Sequence, residues 1–280
     1  MIYPVASTIY LVLLGMACVY GSLIFQHLPV DPLIFLICAS IISTIYFANR
    51  YTDINEDFIN GKAGIETFKH KNKFLFLSIV SAGFVLFYIV SKQILSMYLL
   101  LLLSSIVFYS FKLIPKFTKK DIEFVRIKDL PLVKNVYVAL FWGISILVVP
   151  STLSGVSFSW SIQNIILTVV LVIGSFSNTL FNDILDESGD RIHGNKTLPV
   201  LIGSNACLAF QLILVFISLL FIFVCFNQQL ISRSLFGVSS IILAYPLIYL
   251  GLFGRWSRKK LAFISELDLL IVAAGLLILS

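Results

Sequence analysis

Two sets of three polar residues carry the chemistry that this sequence offers. The residues of each set are spaced by four, and each set lies where an apolar segment ends. The two sets are Asn49, Asp53 and Asp57, and then Asn182, Asp186 and Asp190. Each residue of the first set is separated from its counterpart in the second by the same number of residues. This regularity indicates an internal parallel repeat.

Residues spaced by four lie on the same side of a helix, so each set predicts a polar stripe. Like charges at this spacing repel each other, and the repulsion requires a cation between them. Hard oxygen ligands from two helices suit Mg²⁺, which is commonly shared with the phosphate groups of a substrate. Asp183 falls on the same side as the second stripe. The predicted metal ligands are Asn49, Asp53, Asp57, Asp183, Asp186 and Asp190, and the four aspartates of the two sets are the candidate catalytic residues.

Basic residues near these stripes would complete a diphosphate site, because they neutralise the phosphate oxygens that the metal does not reach. The candidates are Lys112, Lys116, Arg126, Lys134, Arg191 and Lys196. A further basic cluster, from Arg255 to Lys260, is expected from the sorting of positive charge to one side of a membrane and needs no role in the site. Glu266 and Asp268 open the last apolar segment, where they either mark the membrane interface or face the interior.

The composition predicts an integral membrane protein. Hydrophobic residues make up 59% of the 280 residues and charged residues only 12%, and the mean hydropathy is +1.01. Helices long enough to cross roughly 30 Å of hydrocarbon are expected in the continuous apolar runs. These runs lie near 5–25, 33–49, 74–91, 94–112, 135–150, 162–182, 206–226, 235–254 and 261–279. Their unbroken apolar character excludes a β-barrel and predicts an all-α fold with nine membrane spans.

The repeat divides these spans into two groups of four, with the ninth left over, around a central cavity. We expect one domain over residues 1–280, with repeat halves at roughly 1–114 and 135–254. Each aspartate set then lies at the same end of the second span of its group. Cytoplasmic loops collect Lys and Arg, and 18 of the 20 basic residues fall on the side that carries both sets. The N-terminus and the site are therefore predicted to be cytoplasmic, in the cell membrane, with anionic lipids and not nucleic acid as the partner of the positive charge.

The two motifs and their flanks resemble the UbiA superfamily of intramembrane prenyltransferases. The segments that carry the resemblance are NRYTDINED, NDILDESGDRIHGNKTLPVLIG and the basic stretches YSFKLIPKF and RIKDLPLVKN. The resemblance implies Mg²⁺, a polyprenyl diphosphate donor, and an aromatic or other lipid-precursor acceptor. It also implies that Asn49 and Asn182 and the nearby basic residues hold the diphosphate. Arg50 stands where many members of the superfamily have an aspartate, and this extra cation is expected to contact the diphosphate or the acceptor.

Three functions remain open at this point. The first is Mg²⁺-dependent prenyl transfer, in which the donor ionises to an allylic cation that the acceptor then attacks. The second is a membrane terpene cyclase, which would use the same ionisation and then close a ring without an acceptor. The third is a carrier that binds a cation between the acidic stripes. A carrier needs a polar path that continues across the membrane. The half of the membrane opposite the two motifs is nearly free of charged residues, and this counts against a carrier.

Overall fold

Helices dominate the structure, a computed structural model that describes residues 2–59, 65–92, 104, 107–117, 122–130 and 133–280. In the first half the helices are α1 (Ile2–Phe25), α2 (Pro32–Thr52), α3 (Ile54–Ile59), α4 (Ile65–Lys69) and α5 (Lys71–Ser91). Two short strands follow, β1 (Ile114–Phe117) and β2 (Ile122–Val125), and then one 3₁₀ turn (Ile127–Asp129).

The second half contains eight helices. They are α6 (Val133–Leu153), α7 (Ile162–His193), α8 (Leu198–Ile202), α9 (Ser204–Asn227), α10 (Arg233–Ala244), α11 (Pro246–Leu252), α12 (Arg258–Glu266) and α13 (Asp268–Leu279). The α10–α11 and α12–α13 pairs each form one span that is interrupted inside the membrane. Pro246 follows the first interruption directly, because its ring and missing N–H prevent an unbroken helix at that point.

Eight spans of the described chain are long and apolar enough to cross a membrane, which makes this an integral membrane protein. They are α1, α2, α5, α6, α7, α9, α10–α11 and α12–α13. Most of the predicted span at 94–112 falls outside the described residues. The count of nine spans and the arrangement as two repeated groups therefore stay predictions. The last span begins at Arg258, which is earlier than the apolar run alone indicated.

The predicted all-α membrane architecture is confirmed, and one loop departs from it. β1 and β2 pair antiparallel between the membrane spans, with Ile114 opposite Val125 and Pro115 opposite Phe124. Outside the hydrocarbon, backbone groups need not be satisfied within a single segment, so a short hairpin is possible there. The β-branched and aromatic residues of this stretch favour the extended conformation.

Three apolar clusters hold the bundle together. The first joins α6 and α7 with α9, α10 and α13, and Leu147, Val170 and Ile222 lie fully buried within it. The second joins α1, α2, α5 and α6. The third lies between α7, α9, α11 and α12, where the rings of Phe181 and Tyr249 are tilted by 35° with centroids 4.3 Å apart. The motif-bearing helices α2 and α7 are thus fixed by packing on several sides.

Gly143 allows α6 and α7 to approach closely. A Cβ atom at Gly143 would lie 2.5 Å from Val172 Cγ2 and 2.6 Å from the Val172 backbone nitrogen. The backbone of α7 cannot move away without disturbing the apolar cluster around it. This contact sets the distance between α6, which carries Lys134 in its first turn, and α7, which carries the second motif.

The variant Gly143→Ala tests this contact. We expect it to lower the free energy of unfolding by about 1–3 kcal/mol, because the added methyl group overpacks the interface. The matched control is Gly237→Ala on α10, where a Cβ meets nothing within 4 Å. Thermal unfolding of both variants in the same detergent makes the comparison. Equal unfolding temperatures for the two variants would contradict the assigned role of Gly143.

Candidate active site

The second motif lies on one uninterrupted helix that is longer than the membrane is thick. The 32 residues of α7 span about 48 Å, whereas the hydrocarbon core is about 30 Å thick. The first 20 residues of α7 suffice to cross this core, and Asn182 follows them directly. Asn182, Asp186 and Asp190 therefore occupy the part of α7 that extends to the membrane surface and beyond. We call this end of the bundle the motif end.

The first motif is divided between two helices. α2 ends at Thr52, Asp53 occupies the cap position, and α3 begins at Ile54. Hydrogen bonds of helical spacing nevertheless continue through the break, because Asp53 N donates to Asn49 O at 2.8 Å and Asp57 N donates to Asp53 O at 2.8 Å. The three residues thus keep the spacing of a single helical stripe.

Arg126 joins the first motif to the loop before α6. Its guanidinium contacts Asp53 Oδ1 at 3.2 Å, Glu56 Oε1 at 3.0 Å and Asp129 Oδ1 at 2.6 Å. Burial tends to raise the pKa of Asp129, but the hydrogen bonds and charge of Arg126 outweigh this effect and lower that pKa below its ordinary value. Lys128 also forms an ion pair with Asp53 Oδ1. One motif carboxylate is therefore contacted by two cations.

The second motif has its own set of partners. Asp183, only 3% exposed, receives Lys134 Nζ at 2.6 Å and the Asn135 amide at 2.9 Å. Arg258, at the start of α12, forms an ion pair with Asp186 Oδ1.

Asp190 differs from the other motif carboxylates. Its Oδ1 accepts a hydrogen bond from the Asn195 amide at 3.3 Å. Its Oδ2 is buried and has no hydrogen-bond partner in the described part of the chain. A buried carboxylate oxygen without a partner is costly, so this atom indicates a position at which a bound group completes the site.

A cavity of about 290 Å³ lies between the two motifs. We call it the motif cavity. Its polar lining residues are Asn49, Lys134, Thr179, Asn182, Asp183 and Asp186. Its aromatic lining residues are Tyr46, Tyr109, Tyr137, Phe141 and Trp142. One wall of the cavity thus offers charge and hydrogen bonds, and the other offers ring faces.

Two further cavities adjoin the motif cavity. The mouth pocket, about 70 Å³, shares Tyr109 and Lys134 with it and is lined by Asp53, Glu56, Arg126, Lys128, Asp129, Asn195, Lys196 and others. The apolar tunnel, a narrow space of about 40 Å³, shares Ile45, Phe141 and Trp142 with it and continues along Ile41, Cys38, Val149 and Pro150. The tunnel runs from the motif end toward the opposite end of the bundle, because its lining residues lead away from the motif end along both helices, from Ile45 to Cys38 on α2 and from Phe141 to Pro150 on α6.

The structure brings most of the predicted site residues together. Asn49, Lys134, Asn182, Asp183 and Asp186 line the motif cavity, and Asp53, Arg126, Lys134 and Lys196 line the mouth pocket. Asp190 lies one helical turn beyond Asp186.

Three predicted diphosphate ligands lie elsewhere. Arg50 Nη1 contacts Asp57 Oδ2 at 2.5 Å, within the first motif. Arg191 is 62% exposed and pairs with Glu187 at 2.8 Å. Lys112 is exposed and lines none of the cavities described here. For these residues the diphosphate role stays a prediction without a supporting contact. Lys116, whose side chain falls outside the described part of the structure, is not placed.

Five site residues were missed by the analysis of the sequence. They are Glu56, Lys128, Asn135, Asn195 and Arg258. Asn135 and Asn195 directly neighbour the predicted Lys134 and Lys196, so proximity in sequence could have indicated them. Lys128 lies two residues from the predicted Arg126. The basic cluster from Arg255 to Lys260 was expected to have no role in the site. This expectation is wrong for Arg258, because this arginine contacts Asp186.

The motif carboxylates do not form a finished metal site in this arrangement. Within the described ranges, no three His, Cys, Asp or Glu side chains converge as a group that could hold a metal ion. The ion pairs given above account for this, since most of the motif carboxylates already contact a Lys or Arg side chain. The predicted set of metal ligands stays a prediction.

Comparison with known proteins identifies the family. A sequence model of the UbiA prenyltransferase family matches residues 8–267, nearly the entire chain. The chain belongs to the UbiA prenyltransferase family. The resemblance carried by the two motifs is thereby confirmed. None of the curated proteins matches the chain.

Solved structures of UbiA homologs share the fold. A UbiA homolog from Aeropyrum pernix K1 has a TM-score of 0.63 at 14% identity, with 95% of this chain and 96% of that chain covered. A UbiA homolog from Archaeoglobus fulgidus, bound to GPP and Mg²⁺, has a TM-score of 0.58 at 16% identity, with 97% of each chain covered. A digeranylgeranylglyceryl phosphate synthase has a TM-score of 0.53 at 17% identity, with 97% of this chain and 95% of that chain covered.

The buried pair of Lys134 and Asp183 yields a prediction about stability. We expect Lys134→Met to lower the free energy of unfolding by about 2–3 kcal/mol, because it leaves the Asp183 carboxylate buried with only the Asn135 amide. The matched control Arg191→Met removes an exposed pair and should cost less than about 1 kcal/mol. Chemical unfolding in detergent without donor or Mg²⁺ measures both values. A smaller loss for Lys134→Met than for Arg191→Met would show that the buried pair does not hold α6 against α7.

Proposed function

We propose that this protein transfers the prenyl group of a polyprenyl diphosphate to an aromatic or other lipid-precursor acceptor inside the membrane. The observation that carries the proposal is the motif cavity, where both aspartate motifs meet beside an apolar tunnel. Membership of the UbiA family supports it. So do the A. fulgidus homolog structures that hold GPP or DMAPP together with Mg²⁺.

The residues at the motif end fit Mg²⁺. Asp53, Asp57, Asp186 and Asp190 offer the hard oxygen ligands that this ion prefers, and the buried, unpartnered Oδ2 of Asp190 is the atom most in need of such a partner. Asn49 and Asp183 would add oxygen ligands from the same two helices. When bound, Mg²⁺ neutralises charge on the diphosphate and so favours its departure.

The basic side chains have two possible sets of partners. In the structure, Arg126, Lys128, Lys134 and Arg258 contact motif carboxylates. We propose that these long side chains turn to the diphosphate oxygens when the donor binds, which leaves the carboxylates available for Mg²⁺. Each cation is then paired both before and after binding, so no charge is left isolated beside the membrane.

The other parts of the cavity suit the rest of the donor. The apolar tunnel fits a hydrocarbon tail, because its lining is almost entirely aliphatic or aromatic. The rings of Tyr46, Tyr109, Phe141 and Trp142 surround the space between the motifs and the tunnel, where the allylic carbon would lie. Aromatic faces stabilise a cation, and the apolar walls keep water from capturing it.

The cavities favour transfer over the two other functions. A carrier needs a polar path across the membrane. The tunnel beyond Trp142 is apolar and does not continue such a path. A cyclase needs room only for the donor. A further cavity of about 250 Å³ opens beside the motif cavity and provides space for a second molecule. By the distribution of Lys and Arg, we place the motif end on the cytoplasmic side of the cell membrane.

Release of diphosphate from a labelled donor tests the proposed ionisation. In nanodiscs with geranyl, farnesyl or geranylgeranyl diphosphate and a phenolic acceptor panel, we expect release only with Mg²⁺. Asp53→Asn and Asp186→Asn should each slow it at least about a hundredfold, since each removes charge that holds the leaving group. The control Asp31→Asn changes an exposed carboxylate that caps α2 at the other end, and Asn caps a helix equally well. Release that persists without Mg²⁺, or in both motif variants, would refute the proposal.

Arg258 provides a second test, because only the structure indicates a role for it. We expect Arg258→Gln to raise the KM for the donor about tenfold, the effect of losing one hydrogen bond to a charged group. Lys259→Gln changes the neighbouring, exposed cation and should leave the KM unchanged. Steady-state kinetics at saturating Mg²⁺ gives both values. A KM that responds equally to the two substitutions would mean that Arg258 contributes only general positive charge.

A further inference from the structure

Thr197 carries a hydroxyl group that the helix beside it does not use. It occupies the cap position before α8, where a threonine side chain ordinarily accepts a hydrogen bond from the second or third N–H of the helix. Here the hydroxyl makes no such bond. The second residue of α8 is Pro199, which has no N–H to donate. The local sequence thus leaves the hydroxyl available for another partner.

The described part of the chain supplies no other partner for this hydroxyl. Thr197 is 8% exposed, and its Oγ1 atom is buried without a hydrogen bond. Burying a hydroxyl group in this way costs free energy, because its bonds to water are lost and not replaced. Such an atom in the lining of a cavity indicates a bound group that completes it.

The cavity that Thr197 lines is the mouth pocket, where positive charge is concentrated. Four basic side chains line this pocket beside three carboxylates, and they are Arg126, Lys128, Lys134 and Lys196. The first three contact carboxylates. Lys196 adjoins Thr197 in the sequence and has no ion-pair partner among the described residues. An ammonium group and a hydroxyl donor in one pocket are complementary to an anion with several oxygen atoms.

The size of the mouth pocket suits one phosphate group. Its volume of about 70 Å³ gives room for roughly five atoms of the size of a water molecule, about the number of non-hydrogen atoms in a phosphate group. A prenyl chain in this pocket would offer no partner to the cations or to the hydroxyl. The polar end of the donor therefore fits here, and its tail does not.

The three cavities follow one another in the same order along two helices. On α2 the lining passes from Cys38 in the tunnel to Asn49 in the motif cavity and then to Asp53 in the mouth pocket. On α6 it passes from Pro150 in the tunnel to Lys134, which the motif cavity and the mouth pocket share. A donor with its tail in the tunnel thus has its first phosphate in the motif cavity and its terminal phosphate at the mouth pocket.

We propose that the mouth pocket binds the terminal phosphate of the donor, that Thr197 Oγ1 donates a hydrogen bond to it, and that the protein thereby distinguishes a prenyl diphosphate from a prenyl monophosphate. This inference rests on the proposed function, since it divides the donor of the same reaction between two cavities. A monophosphate with its tail in the tunnel ends in the motif cavity and does not reach Thr197. The hydroxyl therefore contributes to the binding of the diphosphate alone.

The variant Thr197→Val removes the hydroxyl group and keeps the shape of the side chain. In nanodiscs with Mg²⁺, the Kd would be measured for a non-reactive geranyl thiodiphosphate and for the matching geranyl thiophosphate. We expect the thiodiphosphate to bind at least about fivefold more weakly, the effect of losing one hydrogen bond to a charged group. Binding of the thiophosphate should stay unchanged. Thr197→Ser keeps a hydroxyl and should bind both ligands like the unaltered protein.

Equal weakening for both ligands in Thr197→Val would overturn the inference. So would unchanged binding of the thiodiphosphate, or a serine variant that behaves like the valine variant. The matched control is Thr168→Val, which removes a buried hydroxyl that donates to the Asn164 carbonyl at 2.7 Å within α7. Thr168 lines none of the cavities described here, and its substitution should leave both Kd values unchanged.

The stability of the protein without donor separates binding from a structural role. Because the hydroxyl has no partner in the fold, Thr197→Val should not lower the unfolding temperature in detergent. A lower unfolding temperature would show that the hydroxyl stabilises the fold and would overturn the inference. In either case, Mg²⁺-dependent release of diphosphate by the unaltered protein still upholds the proposed function. Absence of that release would instead refute the proposed function, and the inference with it.

Discussion

The pairing of carboxylates with cations at the edge of the membrane is the interaction on which the motif end depends. Beside a medium of low dielectric constant, an unpaired charge costs several kcal/mol or shifts to its neutral form. Asp53, Asp183 and Asp186 each contact a Lys or Arg side chain. These pairs join parts of the chain that are far apart in sequence: the loop before α6 to α2, α6 to α7, and α12 to α7. Charge thus organises the end of the bundle that apolar packing alone leaves undefined.

The same pairing explains how one site can accept a highly charged ligand beside hydrocarbon. The cations hold the carboxylates apart until a donor offers other anions. The partners then change, while the total number of paired charges is kept. The apolar tunnel extends from this point toward the opposite end of the bundle, with a lining that is almost entirely aliphatic or aromatic. The tunnel and the motif cavity would thus separate the donor tail from the diphosphate by their chemistry alone.

The sequence predicted the parts of this arrangement that depend on local spacing. Apolar runs of membrane length predicted the helices, and the repeated spacing of four predicted the two aspartate motifs. Arg258 could not be recognised, because its partner Asp186 is 72 residues away and a basic residue at a membrane edge is expected in any case. Glu266 and Asp268 lie within the predicted run 261–279, but hydropathy alone does not tell which side of a helix faces a cavity, so their place in a cavity lining stayed open. The β1–β2 hairpin was missed because two strands of four residues give little periodicity in a chain dominated by apolar helices.

The central claim is that both motifs act on one bound donor, and a double-mutant cycle on donor affinity tests it most directly. The Kd of a non-reactive geranyl thiodiphosphate would be measured with Mg²⁺ for the unaltered protein, for Asp57→Asn, for Asp190→Asn and for the double variant. If the two carboxylates share one Mg²⁺–diphosphate group, their effects should differ from additivity by more than about 0.5 kcal/mol. Additive effects within that limit would mean that the motifs do not share a ligand, and this result would contradict the account.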